Sequence, residues 1–462
     1  MEKRDGVGSL GYSFNAMRRS AIWVGVCCGL ALSATLRPSA SPPTPDEAFR
    51  RFWEAHNPQE AGKAATAIAE SGASFDDALA RFKAGRSYSA AVKRGTQSLQ
   101  RRSVAGDFFY DVIVPEAYDP GRKYQVRVQL HGGVMMRETG EPLSRGSRGG
   151  RGGPLEGAEQ IYVLPRAWRD APWWSRAQVD NLDAILDTIT RSYNVDENRV
   201  ALSGVSDGAT GLYYVAMRDT TPFASFLPLN GSLMVLANDQ LAIDTDLFPT
   251  NLLNKPFFIV NGGEDPLYPI RGVQPFIDHL RDSGVRVEYH PRPEAGHNTA
   301  WWPELKDTFE AFVRSHPRDP LPAAITWEAT DRDLPSRAHW LVIDRLQRAV
   351  AADAPTVLDL NVFSGAGPNH GKALFRRTRP SGRVDARRQG NQIELITRGV
   401  AQLTLLLSPD VFDFSQPIVV SVNGRRVADS RVERSVATLA KWAAHDNDRT
   451  MLFGAELHVV VK

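Results

Sequence analysis

The pentapeptide GVSDG at positions 204–208 has the residue types and the spacing of a turn that exposes a serine as a nucleophile. A short apolar run precedes it and a helical pattern follows it, so the turn should join a strand to a helix. Such a turn is sharp, and Gly204 and Gly208 leave room for the close approach of the two backbones. We therefore predict that Ser206 is a nucleophile presented at the end of a strand.

A serine nucleophile needs a general base to take its proton and a carboxylate to orient that base. Asp265 follows an apolar strand pattern at 256–260, and His297 follows another strand pattern at 286–290. The loops at the carboxyl ends of such strands are where a sheet of this kind presents functional groups. We predict that His297 is the base and that Asp265 is the acid. Other candidates for the acid are its neighbour and three carboxylates after the preceding strand: Glu264, Asp239, Asp244 and Asp246.

The tripeptide His131-Gly132-Gly133 ends another apolar strand pattern. Hydrolysis of an acyl group passes through a tetrahedral oxyanion, which needs backbone N–H groups that already point at it. Glycines allow a backbone to approach that closely. We predict that the N–H groups of Gly133 and Asp207 are the donors, with Gly132 or Val134 as the alternatives, and that His131 holds the loop in place.

Several aromatic residues lie close in sequence to the predicted acid and base. Tyr268, Trp301 and Trp302 are predicted to line an aromatic or acyl pocket for the substrate. Packing in the core is the alternative for each of them, as it is for Trp173 and Trp174.

The 462 residues are enough for two or three domains. Strand and helix patterns alternate over 106–318, which predicts an α/β domain with a mostly parallel sheet covered by helices. Helical spacing predicts a helical extension at 44–105 that packs on this main domain. Strand patterns, among them 356–362, predict a mostly antiparallel β domain at 325–462, with a hairpin turn at the Asn-Gly pair 423–424.

Charge and composition exclude some classes of partner. The 55 basic and 53 acidic residues give a net charge of +2, which offers no electrostatic reason to predict a nucleic acid partner. No His, Cys and Asp cluster has metal-ligand spacing, so neither a metal nor another cofactor is predicted. The segment 144–154 is rich in Gly and Arg and should be a mobile surface loop, with contact to the substrate as the alternative.

The N-terminal segment 1–40 has the order of regions found in secretory signal peptides. Two arginines precede an apolar stretch at 21–36, and small residues follow. Both cysteines, Cys27 and Cys28, lie in this stretch, so the mature protein would contain no disulfide. The sequence predicts a secreted or periplasmic protein; the alternative is an uncleaved anchor that tethers the protein to a membrane.

Residues 106–315, somewhat under half of the chain, resemble an α/β-hydrolase of the secreted esterase and depolymerase type. The resemblance lies in four motifs: LHGG, YNVD before RVALSGVSDG, NGGEDPLYP and EAGHN. It extends to polyhydroxybutyrate-depolymerase-like and feruloyl-esterase-like proteins and to the phospholipase/carboxylesterase group. It implies ester hydrolysis by Ser206, His297 and Asp265 without a metal. Three features depart from the basic pattern of these proteins, so the resemblance does not identify the substrate: Asp207, the Gly/Arg-rich segment and the β domain.

Three functions follow from these patterns. The first is a secreted serine esterase that cleaves a small-molecule or polymer ester through an acyl-enzyme. The second is a serine peptidase like the prolyl oligopeptidases, although their large propeller is missing here. The third is a protein that binds a polymer or a cell surface through the β domain at 325–462; that domain would otherwise have a structural role.

Overall fold

The computed structural model describes residues 42–141, 154–241, 243, 245–347, 374–375 and 378–461, which belong to one structural unit. Four features of the sequence analysis lie outside these described residues: the predicted signal segment, Asp244, the strand predicted at 356–362, and all but the last residue of the Gly/Arg-rich segment. Because the described residues form one unit, the predicted boundaries at 318 and 325 stay predictions. Within the described ranges, no helix has the length and apolar character needed to cross a membrane.

Three helices come first: α1 (Pro45–Glu54), α2 (Pro58–Glu70) and α3 (Phe75–Ala84). Each has a capping residue before its first turn, because the side chains of Thr44, Asn57 and Ser74 accept hydrogen bonds from backbone N–H groups that have no partner within the helix. The predicted helical extension is therefore correct for these residues.

An eight-stranded sheet forms the centre of the molecule. Its strands are β1 (Gly95–Ser103), β2 (Gly106–Val114), β3 (Tyr124–Leu130), β4 (Ile161–Pro165), β5 (Val195–Val205), β6 (Ser225–Leu229), β7 (Phe257–Gly262) and β8 (Val287–Arg292). They lie in the order β1-β2-β4-β3-β5-β6-β7-β8. All neighbours from β4 to β8 are parallel, whereas β2 pairs antiparallel with β4 and with β1. The predicted mostly parallel α/β sheet is confirmed.

The strand β1 corrects the prediction that residues 44–105 are helical throughout. It pairs with β2 along its whole length, from Gly95 opposite Val114 to Ser103 opposite Gly106. Its side chains are half-buried or exposed in alternation, and it lies at the edge of the sheet. An edge strand needs few apolar residues, so its sequence carries no clear strand pattern.

Four helices alternate with the strands and come after β4, β5, β7 and β8 in turn: α4 (Arg176–Ser192), α5 (Asp207–Arg218), α6 (Ile270–Asp282) and α7 (Trp302–Ser315). Alternate residues of the central strands belong to two separate cores. Phe257 and Ile259 share a core with α4, α5 and α6, whereas Phe258 and Val260 pack with α7. Both faces of the sheet are thus buried, which explains the continuous apolar runs in the sequence.

Two further sheets form a β sandwich after α7. Its strands are β9 (Ala324–Thr330), β10 (Ser336–Ala338), β11 (Leu341–Leu346), β12 (Ser381–Gln389), β13 (Gln392–Arg398), β14 (Val400–Leu407), β15 (Ile418–Val422), β16 (Arg425–Ser430) and β17 (Ala455–Val460). They are ordered β16-β15-β13-β12-β9 and β10-β11-β14-β17, and apart from the parallel pair β13–β15 the paired strands are antiparallel. Asn423 and Gly424, both with positive φ, form the predicted hairpin turn between β15 and β16.

A helix that the sequence analysis missed, α8 (Val436–Asp446), lies just before β17. It packs against the N-terminal helices, where Phe49, Phe52 and Phe82 share a core with Leu439 and Ala443. The extension at 44–105 was expected to pack on the main domain, and the apolar residues of its helices share a core with α8. The small side chains of α8 allow this close approach and also weaken its apolar pattern in the sequence.

A cavity of about 980 Å³ lies between α4, the end of α5 and the β sandwich. The Asp183 side chain is exposed to this cavity and shares a hydrogen bond with Asp219. Desolvation by the surrounding protein, together with the nearby negative charge of Asp219, raises the pKa of Asp183 well above its usual value. The folded protein therefore binds the Asp183 proton more tightly than the unfolded chain does.

This pKa shift makes the stability of the protein depend on pH. A raised pKa in the folded state contributes stability below the unfolded pKa, and this contribution is lost as the pH rises through the folded pKa. We expect Asp183→Asn, which is neutral at every pH, to raise the free energy of unfolding in urea at pH 8 and to change it less at pH 5. Asp307→Asn, at an exposed position on α7, should leave the pH dependence unchanged. A gain from Asp183→Asn that is equal at both pH values would contradict this prediction.

Candidate active site

Ser206 lies at the sharp turn between β5 and α5, with φ of 57° and ψ of −119°. A non-glycine residue in this region of backbone space is strained, and such strain is typical of functional turns. A Cβ on Gly204 would lie 2.2 Å from the carbonyl oxygen of Gly208, and a Cβ on Gly208 would lie 2.2 Å from that of Leu130. Both flanking glycines are therefore required by the close backbones, as the sequence analysis predicted.

The structure brings the predicted nucleophile, base and acid together. The Ser206 Oγ lies 2.9 Å from Nε2 of His297, and the Nδ1 of His297 lies 2.8 Å from Oδ2 of Asp265. The Asp265 side chain is buried, and its Oδ1 accepts hydrogen bonds from the backbone N–H groups of Leu267 and Tyr268 at 2.8 and 3.0 Å. Both oxygens of the carboxylate thus have donors, which fixes the orientation of the acid toward the imidazole.

The loops that carry the acid and the base are bound to each other. The N–H groups of Gly263 and Glu264 donate to the carbonyl oxygens of Arg292 and Ala295. The buried Asn230, at the end of β6, donates its side-chain amide to the carbonyl of Asn298 at 2.7 Å. Asn230 was missed by the sequence analysis; the signal that could have found it is its place directly after the apolar run of β6.

The alternative acids do not reach His297. Asp246 is buried and binds another segment, since its carboxylate accepts hydrogen bonds from Thr378 N and Oγ and from Arg379 N. Asp239 and Glu264 are exposed, and Asp244 lies outside the described residues. Among the candidates that the structure describes, Asp265 is the carboxylate that contacts the imidazole.

His131 fixes the loop that follows β3. Its Nε2 accepts a hydrogen bond from Ala167 N–H at 3.1 Å, so its Nδ1 carries the proton and donates to the Gly132 carbonyl at 2.9 Å. Burial lowers the pKa of His131 to about 4, which keeps the ring neutral at neutral pH. The indole of Trp173 donates to the His131 carbonyl at 2.9 Å. These contacts match the structural role predicted for His131.

The backbone of Gly132 and Gly133 passes beside the nucleophile. A Cβ on Gly132 would lie 2.9 Å from the Cβ of Ser206, and Gly133 has a positive φ of 66°. The N–H of Val134 donates to Oδ2 of Asp207 at 2.7 Å, so Val134 is not available as the alternative oxyanion donor. The N–H groups of Gly133 and Asp207, with Gly132 beside them, remain the candidates.

Of the three residues predicted to line an aromatic pocket, one lies beside His297 and two lie in the core, so the role of Tyr268 stays a prediction. Tyr268 is half-buried, with its ring centroid 5.7 Å from that of His297. Trp301 and Trp302 instead pack in the core under the sheet with Phe309, and the indole of Trp302 donates to a backbone carbonyl. The first turn of α7 directs both rings toward the sheet, so nearness in sequence to His297 does not bring them to the substrate side. Trp173 and Trp174 are also core residues.

Three exposed apolar side chains follow the residues of the site in sequence. Met135 and Met136 come directly after residues 131–134, here called the glycine loop, and are 46% and 87% exposed. Leu267 follows Asp265 by two positions and is 61% exposed. The sequence analysis missed them; their positions next to HGG and to the acid were the available signal. In the part of the chain that the structure describes, no group of three or more His, Cys, Asp or Glu side chains is arranged to hold a metal ion.

No family model and no curated protein matches this chain. Solved structures that are similar include a thermostable esterase, at 18% identity over 48% of this chain and with a TM-score of 0.38; the match spans 64% of the esterase. A ferulic acid esterase of the anaerobic fungus Anaeromyces mucronatus is 16% identical over 50% of this chain and 94% of its own, with a TM-score of 0.35. The acylaminoacyl peptidase of Pyrococcus horikoshii is 13% identical over 50% of this chain and 43% of its own, with a TM-score of 0.36.

The fold follows from the order of the strands and the positions of the three site residues. A mostly parallel eight-stranded sheet has helices on both faces, and the strained serine lies between β5 and α5. Asp265 follows β7 and His297 follows β8, so the three side chains come from the carboxyl ends of three strands in the chain order Ser, Asp, His. This chain has the α/β-hydrolase fold, with a β sandwich added after it.

Proposed function

We propose that this protein is a serine esterase. The observation that carries the proposal is the continuous hydrogen-bonded path from Ser206 Oγ through the His297 imidazole to Asp265, with contacts of 2.9 and 2.8 Å. A serine hydroxyl becomes an effective nucleophile when a positioned base accepts its proton, and the base needs a carboxylate that holds it in the correct tautomer.

Each step of the proposed reaction is assigned to a residue of the site. Ser206 Oγ attacks the ester carbonyl while its proton passes to Nε2 of His297, and Asp265 stabilises the imidazolium that forms. The oxyanion accepts hydrogen bonds from the N–H groups of Gly133 and Asp207, where the positive end of the α5 dipole adds to the stabilisation. The C–O bond then breaks, and the alcohol leaves with the proton from His297. Water, activated by the same imidazole, attacks the acyl-enzyme and releases the carboxylic acid.

Apolar side chains near the site residues support an apolar substrate. Met136 and Leu267 are exposed and lie close in sequence to the glycine loop and the acid, and Tyr268 lies against His297. Exposed apolar side chains that are grouped at a site mark surfaces that bind apolar ligands. We propose that they contact the acyl or aryl part of a small-molecule or polymer ester.

A substrate panel tests the reaction class. We expect p-nitrophenyl acetate, butyrate and hexanoate to be hydrolysed with a higher kcat/KM than peptide p-nitroanilides of matched length. The same serine, histidine and acid can cleave amides, so peptide turnover without ester turnover would replace the esterase with a serine peptidase. No turnover of either class would contradict the proposal and favour a protein that binds a polymer or a surface.

A further inference from the structure

The side chain of Asp207 bridges the two halves of the predicted oxyanion site. Asp207 is the first residue of α5 and follows the nucleophile directly. Its Oδ2 accepts a hydrogen bond of 2.7 Å from the N–H of Val134, a residue on the glycine loop. This is the short distance of a charge-assisted bond. We propose that the Asp207 carboxylate is a positioning residue that fixes the glycine loop against the nucleophile turn; this inference rests on the proposed esterase function.

The glycine loop needs such an anchor because it has little side-chain packing of its own. Gly132 and Gly133 have no side chains, and glycine loses more conformational freedom on ordering than other residues do. The start of the loop is held by the bonds of His131 to Ala167 and Trp173. The end of the loop is held by the buried side chain of Val134 and by its N–H bond to Asp207. The two glycines therefore lie between two anchors.

The position of the anchor links it to catalysis. Gly132 is close enough to the nucleophile that an added Cβ would lie 3.5 Å from Ser206 Oγ. Backbone donors stabilise an oxyanion only when they are already aimed at it, and loss of one donor costs about 10²–10³ in rate. If Val134 moves, we expect the N–H of Gly133 to lose its aim at the oxyanion.

We expect Asp207 to act through the oxygen that accepts the hydrogen bond and not through its negative charge. A carboxylate beside a forming oxyanion is unfavourable, because the two negative charges repel. The first turn of α5 offsets part of this cost, since a helix N-terminus favours negative charge. An amide in the same place would keep an oxygen that accepts from Val134 N–H and would remove the charge, so Asp207→Asn separates the two properties.

Three variants of the full chain test the proposal: Asp207→Ala, Asp207→Asn and the control Glu264→Ala, which removes an exposed carboxylate near the acid. Kinetics with p-nitrophenyl butyrate give kcat and KM. Inhibition by an alkyl trifluoromethyl ketone reports on the oxyanion site directly, because Ser206 adds to its carbonyl and leaves an oxyanion there. Thermal unfolding shows that each variant is folded.

We expect Asp207→Ala to lower kcat about 10- to 100-fold and to raise the inhibition constant of the ketone by a similar factor. KM should change less than about threefold. Asp207→Asn should restore kcat to within about threefold of the parent, as the Glu264→Ala control should. Parent-like kinetics in Asp207→Ala would overturn the proposal, and so would an Asp207→Asn variant that is as slow as Asp207→Ala. A parent protein without esterase activity or ketone inhibition would instead reject the proposed function.

Discussion

Ser206→Ala is expected to lower kcat for p-nitrophenyl butyrate by about four to six orders of magnitude. Alanine removes the only atom that bonds to the acyl group, while His297 and the oxyanion donors can assist only a direct attack by water. The substitution should leave the fold intact, because alanine is no larger than serine and places the same Cβ at a position whose φ is 57°. Steady-state kinetics with the purified variant give the measurement.

Covalent labelling makes this test independent of the choice of ester. The parent protein should gain the mass of one fluorophosphonate label, and Ser206→Ala should gain none. Ser87→Ala, at an exposed serine far from the turn in sequence, is the matched control and should react and turn over like the parent. Equal turnover in the parent and in Ser206→Ala would show that another group is the nucleophile.

Asp265→Asn is expected to lower kcat by about 10⁴. Asp265 Oδ2 now accepts the proton on Nδ1 of His297, which leaves Nε2 free to accept the proton of Ser206. The oxygen of an asparagine amide would stay with the N–H groups of Leu267 and Tyr268, and its NH₂ would face Nδ1. The imidazole would then carry its proton on Nε2 and could not act as the base.

The control for this variant is Glu264→Gln. Glu264 is the adjacent carboxylate in sequence, but its side chain is exposed. Its replacement should leave kcat/KM within about threefold of the parent, since exposed charges near a site have small effects. Loss of activity in Glu264→Gln with retained activity in Asp265→Asn would transfer the role of the acid to Glu264.

The sequence was sufficient for the residues of the site that depend on local structure. Ser206 and Asp265 follow apolar strands and His297 follows a strand of mixed polarity. Parallel strands bring their carboxyl ends to one edge of a sheet. The positions of these three residues could therefore be predicted without knowing the order of the strands. The roles of Gly204 and Gly208 could be predicted in the same way, because the sharp turn alone requires glycine at both positions.

Features that depend on tertiary packing could not be predicted in this way. The edge strand β1 and helix α8 lack strong apolar periodicity, because one lies at the border of the sheet and the other packs through small residues. Trp301 and Trp302 are near His297 in sequence, but the direction of α7 decides that they enter the core. The contact of Asp207 with Val134 joins residues 73 positions apart, and no local pattern indicates it.

The packing of α8 on the N-terminal helices has a consequence for biosynthesis. Phe49, Phe52 and Phe82 leave the ribosome long before Leu439 and Ala443, which complete their core. Contacts between such distant segments form late, because a long loop must close first. We expect the nascent chain to keep an apolar surface on α1, α2 and α3 until α8 has left the ribosome. During that interval it should depend on a chaperone more than a chain whose domains fold one after another.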